Sequence, residues 1–430
     1  MTEMAIGPNS YPAESADIKH FLSGEQKRND HVLHAVIRYD GLLAIDLLKQ
    51  AVAMTLRAVP LLTCRFVINR QRAFWQQTDD TVDEIVRFVE TEQREEAVRK
   101  NLVIKPDATR GPQMRLSVIR CDGIDTLVIV LNHMICDGGG FRDYLYLLAS
   151  CYSALASRRK TGDPAVVVLP DPSRRSIDQV FNQLNPEQLK RVKMAAIESA
   201  PQSEKDALPL VGDDRCPFIL THDVAADRFD TIRRYAKSRG ATINDALFAA
   251  YVLALSEVLS TETIALDCPV NLRAYLPKHY LPGICNLTAN ILCTLPNRSG
   301  ASYDDVLLEV SRIMNRQKQN VEPLKVYWEL EHIYRTLPLA EAVKKFPRIY
   351  RIPLNGLTNI GILDDDKLKC GNRVAEDAFI SGSIKYKPYF QIAVTTFRKK
   401  MTFCTNFHGN EKDRRFLDRL VKRMIDFLPR

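Results

Sequence analysis

Residues 126–143, TLVIVLNHMICDGGGFRD, carry the clearest chemistry in the chain. An apolar, strand-forming run from Thr126 to Leu131 leads into Asn132 and His133. Asp137 follows four residues after the histidine, then Gly138, Gly139 and Gly140, then a helical stretch, FRDYLYLLASCYSALAS. Histidine is the side chain best matched to proton transfer near neutral pH, and the end of a buried strand gives it a rigid mount. The glycines predict a tight turn, because only glycine enters positive φ without steric cost. Gly139 and Gly140 also let a ligand approach the backbone, and Gly138 to Gly140 could aim a backbone N–H at a developing oxyanion. A plain turn into a helix is the alternative.

Other chemistries find little support. There is no G-x-S-x-G and no G-x-x-x-x-G-K-[ST], so serine-hydrolase and P-loop readings lack a basis. His20, His31, His34, His222, His279, His332 and His408 show no ligand spacing. His31 and His34 lie three apart on an apparent strand, which would send their rings to opposite faces. No metal site is expected. Ten cysteines include no C-x-x-C pair, and most lie in apolar stretches, which points to reduced thiols and a cytoplasmic protein.

Sixty basic residues against 52 acidic ones leave +8 over 430 residues. So thin an excess suits an anionic substrate or an acidic partner. It lacks the basic block with interleaved aromatics that nucleic-acid binding needs. The N-terminus has no cationic start before an apolar core, so no secretory signal is expected. The longest apolar stretch, 246–255, is too short to span a bilayer.

Periodicity places the elements around the motif. A strand is expected over 31–40, a helix over 44–57 with Ile45, Leu48, Val52 and Leu56 on one face, and a strand over 61–68 after Pro60. A charged amphipathic helix is expected over 81–100, with Val82, Ile85, Val86 and Val89 inward. Residues 114–121 and 126–132, joined by Asp122-Gly123, predict a hairpin. The proline-rich, polar texture of 160–215 predicts a linker. Beyond it come a strand near 217–224 and a helix over 227–239 closed by Gly240. A buried helix capped by Thr242 or Asn244 follows, then a strand and turn over 263–273 and a strand at the end of 283–296. A helix over 303–319, a strand over 354–363, a hairpin around Arg398-Lys399-Lys400 and a helix over 411–428 complete the chain. The two halves thus predict two mixed α/β lobes sharing a cleft, over 1–170 and 216–430, with 171–215 between them.

The run Asn132-His133-Met134-Ile135-Cys136-Asp137-Gly138 resembles the HHxxxDG motif of the chloramphenicol-acetyltransferase-like superfamily. Its members include condensation domains of nonribosomal peptide synthetases and stand-alone alcohol or amine acyltransferases. LLAIDLLKQAVAMTLRAVPLLTCRF (42–66) is similar to the family's early helix, proline and strand. SRGATINDALFAAYVLAL (238–255) is similar to its second-lobe helix, and CPVNLRAYLP with the later GICNLTAN to the stretch after it. TNIG (358–361) resembles a strand at the lobe interface. The resemblance runs from about residue 31 to 428. It departs at Asn132, which stands where the family has its first histidine. The DFGWG motif of the plant branch is absent.

The resemblance implies a tunnel between two lobes and acyl transfer from a thioester to an alcohol or amine, with His133 as general base. It implies that Asp137 turns away from His133 to pair with Arg273, a structural role shared with Gly138. Asn132, Gly139, Gly140, Asn290, Thr358 and Asn359 would contact substrates. The thioester, acyl-CoA or a carrier protein, would be a co-substrate met in trans. No other cofactor and a monomeric state are expected. The alternative is a catalytically silent relative that binds a carrier protein or acyl ligand as a scaffold. Other histidine chemistry, such as epimerisation, is a further possibility.

Overall fold

The computed structural model describes residues 9–162, 166–197, 203–298, 300–318 and 321–430. Residues 1–8, the head of the segment read as lacking a secretory signal, lie outside it, as do 198–202 of the expected linker and the last residue of the helix expected over 303–319. Two mixed sheets, each with its own apolar core, form two lobes. No described helix is long and apolar enough to cross a membrane.

The first lobe holds a five-stranded sheet with Ile124–Asn132 at its centre. That strand reads IDTLVIVLN and is buried along nearly its whole length, as expected of a strand covered on both faces. Val32–Tyr39 and Met114–Cys121 flank it, both antiparallel. The hairpin to Met114–Cys121 turns at Asp122 and Gly123, with φ of 53° and 72°. Positive φ at both positions is the turn whose twist suits paired strands. The helices Ile45–Thr55 and Gly138–Thr161 pack against each other on one face.

In the second lobe a six-stranded sheet packs on the helix Ile243–Ser256. This helix is buried from Asp245 to Leu255, in keeping with a sequence apolar on every side. Thr242 caps it, accepting from the Asp245 N–H at 3.2 Å while Asp245 accepts from the Thr242 N–H at 2.8 Å.

Several segments depart from the expectation. The region 81–100 is not one helix: it is a short helix Val82–Ile85, a strand Val86–Glu90 and a helix Arg94–Leu102. The strand pairs in parallel with Met114–Cys121 at the sheet edge, so backbone pairing overrode a helical spacing of valines. A 3-10 turn, Pro60–Thr63, precedes the strand Cys64–Ile68. The expected linker contains the helices Asp178–Phe181 and Pro186–Met194. Unanticipated elements include the helices Ser15–Glu25, Lys325–Thr336 and Leu339–Ile349 and the strand Ala375–Ser381.

These late elements bind the lobes together. Ala375–Ser381 leaves the second half of the chain to pair with Val32–Tyr39 in the first sheet. Leu330, Ile333, Leu339 and Phe346 join the first core. Residues 216–430 are therefore not confined to one lobe. Replacing Thr242 with alanine is expected to cost about 1 kcal/mol. A lower urea midpoint at unchanged slope checks this, and Thr242→Ser should retain the cap.

Candidate active site

His133 follows the central strand directly. Its N–H donates to the His31 carbonyl at 2.7 Å, and its own carbonyl and that of Met134 accept from Asn286 Nδ2 at 3.0 and 3.1 Å. Residues from both lobes thus fix its backbone. The ring stacks on His20, with centroids 4.0 Å apart. His20 lies on the helix Ser15–Glu25. Both rings line a cavity of about 150 Å³ whose walls come from both lobes.

Burial pushes the His133 imidazole down to about 4; Lys19 and Lys385 add to the fall, while the residue's own carbonyl and Asp137 oppose it. His20 and His31 are held well below the usual histidine range, again by burial first. At neutral pH all three rings are uncharged, so His133 is ready to accept a proton. Among the described residues no side chain hydrogen-bonds its ring nitrogens.

Asp137 does not orient this ring. Its carboxylate accepts from Gly140 N–H at 2.7 Å, Leu287 N–H at 2.6 Å and Thr288 Oγ1 at 2.7 Å. Arg273 Nη1 reaches it at 3.0 Å, and Arg273 Nη2 continues to the Cys285 carbonyl at 2.9 Å. Burial alone would raise the Asp137 carboxyl, but Arg273 and these donors hold it at about 2. The expected Asp137–Arg273 pair is present, and it crosses from one lobe to the other.

No protein-family model and no curated protein matches the sequence. Among solved structures, the first condensation domain of the calcium-dependent antibiotic synthetase is similar over 97% of this chain and 96% of its own. The TM-score is 0.69 at 16% identity. Polyketide synthase associated protein 5 from Mycobacterium tuberculosis is similar over 98% of both chains, with TM-score 0.67 at 15% identity. TRI3 trichothecene 15-O-acetyltransferase from Fusarium sporotrichioides is similar over 99% and 97%, with TM-score 0.70 at 14% identity. The chain has the condensation-domain fold. Identities this low speak to the fold alone.

Within this condensation-domain fold the residues singled out from sequence separate into two groups. His133, Asp137, Gly138, Gly139, Asn290, Thr358 and Asn359 line the cavity. Asn132 and Gly140 do not. Asn132 is buried, donating to Gln113 Oε1 at 2.7 Å and accepting from the Met134 N–H at 3.0 Å. It holds the strand end instead of meeting a ligand. Gly140 lends its N–H to Asp137, and a Cβ there would stand 2.7 Å from Cys136 Cβ and 2.8 Å from the Cys285 carbonyl oxygen.

The glycines also do not make a positive-φ turn. None of the three has positive φ, and all lie in the first turn of the helix that Asp137 caps. Their requirement is space: a Cβ on Gly139 would sit 3.0 Å from Arg273 Nη1.

Among the lining residues that went unrecognised are Lys19, His20, Asp267 and Lys385. An acidic residue inside the apolar run TIALDC was the one signal that could have flagged Asp267.

Replacing Asp137 with alanine leaves Arg273 buried without its counter-ion and is expected to cost about 3–5 kcal/mol. Unchanged urea stability would contradict the lobe-tying role. Because the folded pKa lies below the unfolded value of about 3.9, this carboxylate's contribution is complete above about pH 4. It is lost as pH falls through about 2 and amounts to about 2–3 kcal/mol. The difference in stability between wild type and Asp137→Asn should shrink over that window.

Proposed function

We propose that this protein transfers an acyl group from a thioester to an alcohol or amine, with His133 as general base. The observation that carries the reading is a neutral imidazole, fixed by both lobes, whose ring lines the inter-lobe cavity. The fold is shared with condensation domains and with an acetyltransferase. One such neighbour, the starter condensation domain of rhizomide synthetase, is described in complex with C8-CoA and Leu-SNAC. Acyl-CoA or an acyl carrier protein would be the donor here, and a small alcohol or amine the acceptor. Ten free cysteines, nine of them buried, suit a reducing cytoplasm.

The step balances without an acyl-enzyme. As the acceptor oxygen or nitrogen bonds to the thioester carbonyl carbon, His133 takes its proton. The tetrahedral intermediate then expels the thiolate, which recovers the proton from the imidazolium and leaves as thiol. With Gly140 N–H committed to Asp137, the N–H groups of Gly138 and Gly139 remain to face the oxyanion at the head of the helix. The imidazolium forms only in passage, so burial that disfavours it at rest still permits it beside a developing negative charge.

His133→Ala is expected to lower thiol release from acyl-CoA by about 10²–10⁴-fold. Binding without turnover in both wild type and variant would instead favour a scaffold. The base is unprotonated above a pKa of about 4. kcat/KM, which reports the free enzyme, should therefore fall as pH drops through about 4, not at the usual histidine pKa near 6.5.

A further inference from the structure

The chemistry above leaves two lysines and an aspartate in the same cavity without a task. Lys19 comes from the helix Ser15–Glu25 and Asp267 from the strand Thr263–Asn271. Lys385 lies on the segment 382–389, between the strand in the first sheet and Phe390–Phe397 in the second. They are 4%, 5% and 9% exposed. Ammonium and carboxylate groups are almost never buried so deeply unless paired. Yet among the described residues no ion pair of 4.0 Å or less joins any two of these three.

Each has a different degree of support. Asp267 accepts from Asn290 Nδ2 at both oxygens, at 2.7 and 2.8 Å. Lys19 Nζ donates to the Tyr327 hydroxyl at 2.7 Å and lies over the rings of Tyr327 and Tyr350. No described residue hydrogen-bonds Lys385 Nζ. Its backbone, in contrast, is tied on both sides: the N–H donates to the Asn406 carbonyl at 3.0 Å and the carbonyl accepts from the His408 N–H at 2.9 Å. The backbone is held, and the residue lines the cavity.

The local charge does not cancel. Of the other charged lining groups, Asp137 is paired with Arg273 and Arg142 with Asp143. Burial lowers Lys19 and Lys385 only to about 8, and raises Asp267 to about 6. Two cations and one anion therefore face the cavity at pH 7. Asp30 acts on Lys385 from outside the lining, but it accepts from the Val32 and Ile384 N–H groups, and burial raises it to about 7. It offsets Lys385 only in part.

Resting on the acyl-transfer reading, we propose that Lys385, aided by Lys19, binds a carboxylate carried by one of the two substrates, the acceptor or the acyl group. The phosphates of CoA are a poor match, because the whole pantetheine arm separates them from the sulfur at the reacting end. Both lysines depress the His133 pKa. A bound carboxylate would screen them and return basicity to the imidazole, so recognition and proton transfer become linked.

The test measures thiol release by wild type, Lys385→Met and Lys385→Arg. Acetyl-CoA is offered with 2-hydroxy acids or amino acids and with their methyl esters. Succinyl-CoA is compared with butyryl-CoA on a neutral alcohol. Lys385→Met should raise KM for the carboxylate-bearing partner by about 10- to 100-fold, the range of a hydrogen bond to a charged group. The KM for the ester or butyryl substrate should change by far less, and Lys385→Arg should restore part of the loss. Whichever arm responds identifies the source of the carboxylate.

Equal effects on both members of every pair overturn the proposal while leaving acyl transfer standing. If no acyl-CoA is turned over, acyl-CoA fails separately as the donor, and calorimetry with lactate, alanine and succinate decides the carboxylate site. Binding to wild type that is lost in Lys385→Met supports the carboxylate site, and no binding to wild type overturns it. Removing a buried charge should leave the melting temperature of Lys385→Met at or above wild type, so misfolding would not explain a loss.

Discussion

The carboxylate of Asp137 is the junction on which the rest depends. It caps the helix Gly138–Thr161 in the first lobe and accepts from Arg273, Leu287 and Thr288 in the second. A single charge in that position fixes three things: where the helix begins, how the chain leaves the central strand, and how the lobes meet. A buried ion pair gains little over an apolar contact in stability alone, since desolvation offsets attraction. Its return here is register. Apolar surfaces can slide, whereas a carboxylate with this many donors tolerates one arrangement.

That junction explains the packing around the motif. Gly139 and Gly140 are small because Arg273, Cys136 and Cys285 close in on them, not because the backbone needs an unusual φ. Asn286 extends the same clamp to the carbonyls of His133 and Met134. The imidazole that would do the chemistry is thereby held from behind by groups that never touch its ring. Asn132 completes the support through Gln113, whose amide also reaches the carbonyls of Cys64 and Ala108. Asparagine in place of the motif's first histidine serves well at that position, which calls for a hydrogen-bonding wedge.

Electrostatics in the cavity follow from burial more than from any one neighbour. Desolvation is the leading cause of every shift among His20, His31, His133, Lys19, Lys385 and Asp267. It acts in the same direction on the three histidines and leaves them neutral. The lysines start from a much higher pKa and stay charged after a comparable loss. The same environment therefore produces an uncharged proton acceptor and fixed cations side by side.

Much of the fold was readable from local pattern. The apolar run before His133 predicted a buried strand, Asp122-Gly123 predicted its hairpin, and Thr242 or Asn244 ahead of an apolar run predicted a capped helix, of which Thr242 is the cap. These signals are local because they report backbone propensity and which face is covered. They failed at Val86–Glu90, where a sheet edge recruited residues spaced like a helix, and at Ala375–Ser381, whose partner lies more than three hundred residues away. The motif placed the histidine and, through the family resemblance, its ion pair. The site's charges were another matter. Lys19, Asp267 and Lys385 sit on three separate elements, and a lysine in a chain is read as solvated because nearly all are. Periodicity tells which side of an element is buried but not what it is buried against. Sequence alone therefore determined the mount and the imidazole, and only the closing of two lobes decided what surrounds it.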